Sequence, residues 1–223
     1  MTGKTVLILA SNSPRRRQLL ALGNWMFNVI VADVDETPMP GEKPADYVCR
    51  LAEAKARAVV GLARPNNIIV AADTAVVDGE SILGKPADIT EAASMLRQLR
   101  GRVHQVHTGI AVLRMSDGQL LTDLCVTDVP MRHYSDEEIE AYVFSGDPLD
   151  KAGAYAIQHA GFNPVEQFHG CFASVMGLPL CHLVRVMAKL GVYPSVNLPV
   201  ACQTALQYPC PVSRAILRGE QVG

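Results

Sequence analysis

The sequence predicts an α/β fold with an antiparallel portion, and three observations carry that expectation. Short apolar runs at strand length alternate with helical patterns for most of the chain; one such run, Ile68-Ile69-Val70-Ala71-Ala72, ends on an acid, Asp73; and Asp117-Gly118 marks a hairpin turn between two longer extended stretches. Strands are expected at 5–10, 27–32, 67–72, 103–115, 120–131 and 171–176, and helices at 14–22, 45–60, 89–100, 135–145 and 179–190. With 223 residues, 49% of them hydrophobic, the chain can bury one large core or two small lobes without disulfide or metal staples.

The first strand runs into Ser11-Asn12-Ser13-Pro14-Arg15-Arg16-Arg17, a tight turn that opens a helix. Ser13 suits the N-cap and Pro14 the first helical position, so free backbone N–H groups point out of the turn and form an anion cradle. Three arginines in a first helical turn oppose the helix dipole by roughly 0.3–1 kcal/mol each, a mismatch that a bound anion would offset. Arginines pointing into solvent are the alternative. The glycines and the Gly-Lys-Ser/Thr ending of a Walker loop are missing.

The second helix, Asp46 to Val60, carries Val48, Leu51, Ala52, Ala58 and Val59 on its apolar face. Lys55 lies four residues from both Leu51 and Val59, so it sits on that face, where a lysine either snorkels to the edge or reaches an internal anion. The third strand supplies such an anion in Asp73, because open α/β sheets build their sites at the carboxyl ends of strands. Beyond a hairpin at Asp78-Gly79, Gly84-Lys85-Pro86 fixes a turn that brings Lys85 near Asp73. Asp35-Glu36 follows the second strand as a further acidic pair, which a solvated turn would equally explain. Ser135 and Glu138 have the spacing of a capping box, and Gly101 closes the helix that Asp88 or Thr90 opens. Cations on strand-end and helix positions, with one to three carboxylates and no defensible Cys–His or Ser–His pair, fit phosphate chemistry through magnesium or manganese, with Asp73 orienting or deprotonating water.

Other features are less telling. A net charge of −2 argues against coating nucleic acid or an anionic membrane, and an apolar N-terminal run of about six residues is too short for a signal peptide or a span, which places the chain in the cytoplasm. Six cysteines without a Cys-x-x-Cys motif read as buried or idle thiols, although Cys202 and Cys210 could pair or bind metal. His104 and His107, three apart in an extended run, face opposite sides of a sheet and do not chelate one metal. Beyond Gly191 the pattern fails around Pro194, Pro199, Pro209 and Pro211, so 1–191 is expected as the working domain and 192–223 as a loosely packed or disordered extension.

In order, Ser11-Asn12-Ser13-Pro14-Arg15-Arg16, Lys55-Ala56-Arg57-Ala58, Ala72-Asp73-Thr74, Gly84-Lys85-Pro86, Gly101-Arg102-Val103-His104 with Thr108, Asp150 to Gln158 and Val175 to Leu180 resemble the Maf family of nucleoside triphosphate pyrophosphatases, from about Val6 to Leu190. The resemblance implies a Maf/inosine-triphosphatase-like mixed sheet flanked by helices, in two lobes with a central cleft. It also implies hydrolysis of a nucleotide's α–β phosphoanhydride to monophosphate and pyrophosphate, a divalent cation, and a homodimer. By the same resemblance Asp73 is the proton acceptor. Ser11, Arg15, Arg16, Lys55 and Lys85 line the phosphate site, Arg15, Thr74 and Gln158 govern substrate choice, and Glu36 and Asp35 join Asp73 around the metal. Tyr155-Ala156-Ile157-Gln158 looks like the branch acting on dTTP and UTP. Gln158 suits a pyrimidine edge because its amide both donates and accepts. Two departures stand out: bulky His159 to Pro164 where the family is glycine-rich, and Phe172-Ala173-Ser174 where a tyrosine often precedes Val175. The alternatives are a 7-methyl-GTP pyrophosphatase and a nucleotide-binding regulator of septum formation without turnover.

Overall fold

The computed structural model describes residues 6–223. Thr5, the expected start of the first strand, and the rest of 1–5 lie outside the described residues. One mixed sheet runs through the chain: β1 (Val6–Leu9), β2 (Phe27–Val29), β3 (Asn67–Asp78), β4 (Ser81–Leu83), β5 (Val103–Arg114) and β6 (Leu120–Pro130). The order is β2-β1-β3-β5-β6, with β4 also on β3; β1 pairs in parallel with β2 and β3, and the remaining pairs are antiparallel. Helices α1 (Pro14–Ala21), α2 (Pro44–Ala58), α3 (Ile89–Leu99), α4 (Asp136–Phe144), α5 (Phe172–Val175), α6 (Leu180–Lys189), α7 (Leu198–Leu206) and α8 (Ser213–Leu217) surround it. Among the described residues no helix is long and apolar enough to cross a membrane.

Alternation along the strands divides the core. Leu7, Leu9, Ile68, Val70, Ala72 and Val112 face the larger cluster, which takes in α1, α3, α4 and α6, whereas Ile8, Ala10, Ile69, Ala71, Ala111 and Leu113 face α2 through Ala52, Ala56 and Val59. Asp73 therefore projects toward α2 and Thr74 toward the opposite face. Both are reachable because β1 stops at the pair Leu9 with Val70, and β4 joins β3 only at Val76. Between them, Ala71–Ala75 has a strand partner on the β5 side alone.

The expected caps hold. Ser13 Oγ accepts from Arg16 N, Pro14 opens α1, Asp88 caps α3, and Ser135 and Glu138 form the capping box of α4. Four expectations need correction. Residues 171–176 form the short helix α5 rather than a strand, because the N–H groups of Ser174 and Val175 close back onto Cys171 O and no strand edge is offered to them. β3 continues past Ala72 to Asp78 since β5 pairs with it as far as Val77. Ala58 is exposed rather than on the apolar face of α2, which starts at Pro44 without a side-chain cap.

The segment expected to be loose carries α7 and α8. Leu198 and Ile216 are buried, and Arg185 of α6, paired with Asp123, donates to Ile216 O and Glu220 O. Its prolines are compatible with this order because Pro199 falls in the first turn of α7, where Asn197 accepts from Val200 N. All six cysteines are free; Cys202 and Cys210, with Cys171 and Cys181, line a small apolar cavity under this segment.

The fit of α2 on the sheet rests on Gly109. A Cβ there would stand 2.6 Å from Val48 O and 2.8 Å from Cys49 N, backbone atoms that cannot turn aside. Gly109 is the cross-strand partner of Asp73, so the close approach lies directly beside the site. Gly109→Ala should lower stability by about 1–3 kcal/mol through overpacking, read by urea denaturation, and should reduce activity more than a stability loss alone accounts for.

Candidate active site

Lys55 is the centre of the site. It projects from the buried face of α2 and is itself buried, and its Nζ lies 2.6 Å from Asp73 Oδ1 and 2.6 Å from Glu36 Oε1. An ammonium has three donors and no acceptor, so one nitrogen can hold two carboxylates at once. Glu36 reaches it from a loop that several bonds tie to α2. Tyr47 OH donates to Glu36 O at 2.9 Å, Arg50 donates to Thr37 O and pairs with Glu42, and Glu42 accepts from Met39 N. That pairing holds the Glu42 carboxyl down at about 2.

Arg16 closes the site from α1. Its Nε donates to Gly177 O at 2.8 Å, Nη2 to Thr74 Oγ1 at 3.1 Å and Nη1 to Ser11 Oγ at 3.4 Å. Gly177 is required here, with φ of 105° and a Cβ position that would press on Arg16 Nε at 3.2 Å and Thr74 Oγ1 at 3.3 Å. Burial pulls the Arg16 guanidinium down and Asp73 pushes it up. The Asp73 carboxyl moves up, because burial outweighs the opposing pull of Lys55 and Arg16, and Glu36 adds to the rise. Glu36 itself lies below its ordinary value: burial opposes that shift, and Lys55, then Lys85 and Arg16, overcome it.

The structure thus brings together Ser11, Arg16, Lys55, Asp73, Thr74 and Glu36. Lys85 is exposed after β4, close enough for its charge to act on Glu36, and Arg15 stands beside Arg16. Two predicted residues make no hydrogen bond or ion pair with this group. Asp35 accepts from Thr37 N at 2.9 Å, so the acidic cluster is Asp73 with Glu36. Gln158 is exposed at the end of the buried run Ala154–Ile157. Among the described residues no three His, Cys, Asp or Glu side chains are placed to hold a metal ion. His104 and His107 do face opposite ways. His104 is buried against Tyr155 OH at 2.8 Å, and burial lowers it to about 4. Sequence reasoning missed Gly177, whose role depends on a left-handed turn 161 residues from Arg16.

Cations arranged around one buried carboxylate, at a break in the pairing of a mixed sheet, define an α/β protein built to take an anion against an acid–base group. The chain belongs to the Maf family: the family model described as Maf-like protein matches residues 6–190. Its relatives include the dTTP/UTP pyrophosphatases of Anaeromyxobacter dehalogenans (strain 2CP-C), 46% identical over 83% of this chain and 94% of that protein, and of Geobacter sulfurreducens, 45% identical over 83% and 96%. The protein of the same description from Hahella chejuensis is 42% identical over 85% and 94%. Among solved structures a HAM1 protein from Coxiella burnetii aligns over 91% of this chain and 97% of its own, with a TM-score of 0.43 and 14% identity.

Three expectations follow for this site. With Asp73 as the proton acceptor that the resemblance implies, activity should fall on the acid side with an apparent pKa above the ordinary 3.8 of an aspartate; a pH profile of kcat/KM checks this. The same upward shift means that Asp73 contributes stability at low pH that is lost as pH rises through its folded value, so Asp73→Asn should melt no lower than the natural protein near neutral pH. Lys55→Met, which leaves Asp73 and Glu36 facing each other without a cation, should instead lose about 1–3 kcal/mol in urea denaturation.

Proposed function

We propose that this protein hydrolyses the α–β phosphoanhydride of dTTP and UTP, and of modified pyrimidine nucleotides, releasing a nucleoside monophosphate and pyrophosphate. The observation that carries the reading is the Asp73 carboxyl, buried, raised in pKa and flanked by Lys55 and Arg16. The curated relatives' description as dTTP/UTP pyrophosphatases supports the choice of substrate. Asp73 accepts a proton from the attacking water as its oxygen bonds to the α phosphorus and the bond to the bridging oxygen breaks. Ser11, Arg16, Lys55 and Lys85 hold phosphate oxygens and offset their charge, which costs little reorganisation because Arg16 and Lys55 are already fixed. Arg15, Thr74 and Gln158 set the choice of nucleotide.

A magnesium or manganese ion fits the donor set. Such ions take one or two protein carboxylates and complete their shell with water and phosphate oxygens, and Asp73 and Glu36, drawn together by the Lys55 ammonium, provide two carboxylates beside which an ion would sit. When bound, the ion would neutralise charge on the departing pyrophosphate. On this reading the protein is a cytoplasmic homodimer acting on free nucleotides, with neither nucleic acid nor membrane as partner, and the family match over 6–190 supports residues 1–191 as the catalytic unit.

A screen of nucleoside triphosphates with each metal, scoring monophosphate and pyrophosphate, tests the reading. dTTP and UTP should rank first and 7-methyl-GTP should be poor; the reverse order would move the protein to the other branch, and binding without turnover would make it a regulator. Asp73→Asn should cut turnover by about 10²–10⁴-fold, as for a lost general base. A fully active, folded Asp73→Asn protein would remove Asp73 from the mechanism.

A further inference from the structure

Behind the site, on the face of the sheet away from Lys55, a line of hydrogen bonds leads from Thr74 to Thr108, which the proposed function does not use. Thr74 Oγ1 lies 3.1 Å from Thr108 Oγ1, its cross-strand partner on β5, and Thr108 Oγ1 donates to Ser174 O at 2.9 Å. Thr108 is fully buried. Each hydroxyl has one proton to give, which fixes the direction of the whole line. Thr108 spends its proton on Ser174 O, so its oxygen accepts from Thr74. Thr74 therefore has no proton left, and its oxygen accepts from Arg16 Nη2 at 3.1 Å. The turn after α5 closes the circuit, since Gly177 O takes Arg16 Nε and Gly177 N donates to Ser174 O at 2.8 Å.

We propose that Thr108 is a positioning residue. By holding the Thr74 hydroxyl as an acceptor, it fixes the plane of the Arg16 guanidinium against the substrate's phosphates, without touching substrate itself. The inference rests on the reading of Arg16 as a phosphate-binding group. Its physical content is preorganisation: a guanidinium held by Ser11, Thr74 and Gly177 presents its remaining donors in a set direction, and a Thr74 free to rotate its proton toward Arg16 would set two donors against each other. Removing the Thr108 hydroxyl leaves the buried Ser174 carbonyl with its Gly177 N–H, so the fold keeps its satisfied acceptor and the change falls on Thr74.

The test compares Thr108→Val, which keeps the shape and loses the hydroxyl, with Thr108→Ser, which keeps the hydroxyl. Binding of inorganic tripolyphosphate with magnesium is measured by calorimetry, alongside kcat and KM for UTP. Thr108→Val should weaken tripolyphosphate and raise KM by about five- to tenfold, the size of one hydrogen bond's contribution, with kcat changed far less. Thr108→Ser should restore both. In an Arg16→Lys background, Thr108→Val should have no further effect, an outcome that a general loss of packing would not produce. Should circular dichroism show Thr108→Val unfolded, Thr108→Ala repeats the comparison. Unchanged tripolyphosphate binding in the folded variant, additive losses with Arg16→Lys, or a natural protein that does not bind tripolyphosphate would each overturn the proposal. A natural protein that binds tripolyphosphate but cleaves no nucleotide would overturn the proposed function and leave the role of Thr108 to the binding data.

Discussion

A single ammonium held between two carboxylates is the interaction around which this protein is arranged. Lys55 can bridge Asp73 and Glu36 only if α2 lies flat on the sheet, if the loop bearing Glu36 is drawn back over the helix, and if Asp73 projects toward α2. Gly109 meets the first condition, the bonds of Tyr47 and Arg50 meet the second, and the pleat of β3 meets the third. Burying such charges costs several kcal/mol per ion before their attraction is counted, so an arrangement of this kind persists where function needs it rather than where stability does. With Arg16 included, two cations face two anions, and Lys85 and Arg15 at the rim tilt the approach toward positive potential.

Two rigid pieces meet at this cluster from opposite faces of the sheet. The α2 face supplies Asp73 and its counterion Lys55; the other supplies Arg16, braced by Ser11, Thr74 and Gly177. Their separation gives Asp73 and Arg16 different surroundings within a short distance. Burial raises the pKa of Asp73 and lowers that of Arg16, whose donors meet carbonyl and hydroxyl oxygens on the opposite face.

Much of this was legible in the sequence because its signals are local. The Ser13-Pro14 cap, the capping box of α4 and the 3.6-residue spacing that puts Lys55 on a buried face each depend on a few neighbouring residues, and all hold. Asp73 at the end of an apolar run was equally plain, although the strand continues to Asp78 because β5 is long enough to pair with it. What stayed hidden depends on distant parts of the chain. The apolar run at 171–176 has the composition of a strand but no edge to join, and the segment after Gly191, read as loose from its prolines, is secured by Arg185, 31 residues before Ile216 and itself held by Asp123, 62 residues earlier still. The direction of the hydroxyl line through Thr74 and Thr108 depends on a cross-strand register that no single window of sequence contains.

The break in pairing along β3 bears on how the protein avoids its own kind. An unpaired strand edge invites another chain to add itself, and natural sheets blunt such edges with charge, curvature or short length. Here the open stretch, Ala71–Ala75, is bounded by β1 at one end and β4 at the other, so an incoming strand would meet two occupied flanks before it could extend a ladder. The same interruption that leaves room for a ligand therefore keeps this stretch of β3 from templating another strand, and leaves β2 and β6 as the sheet's outer strands.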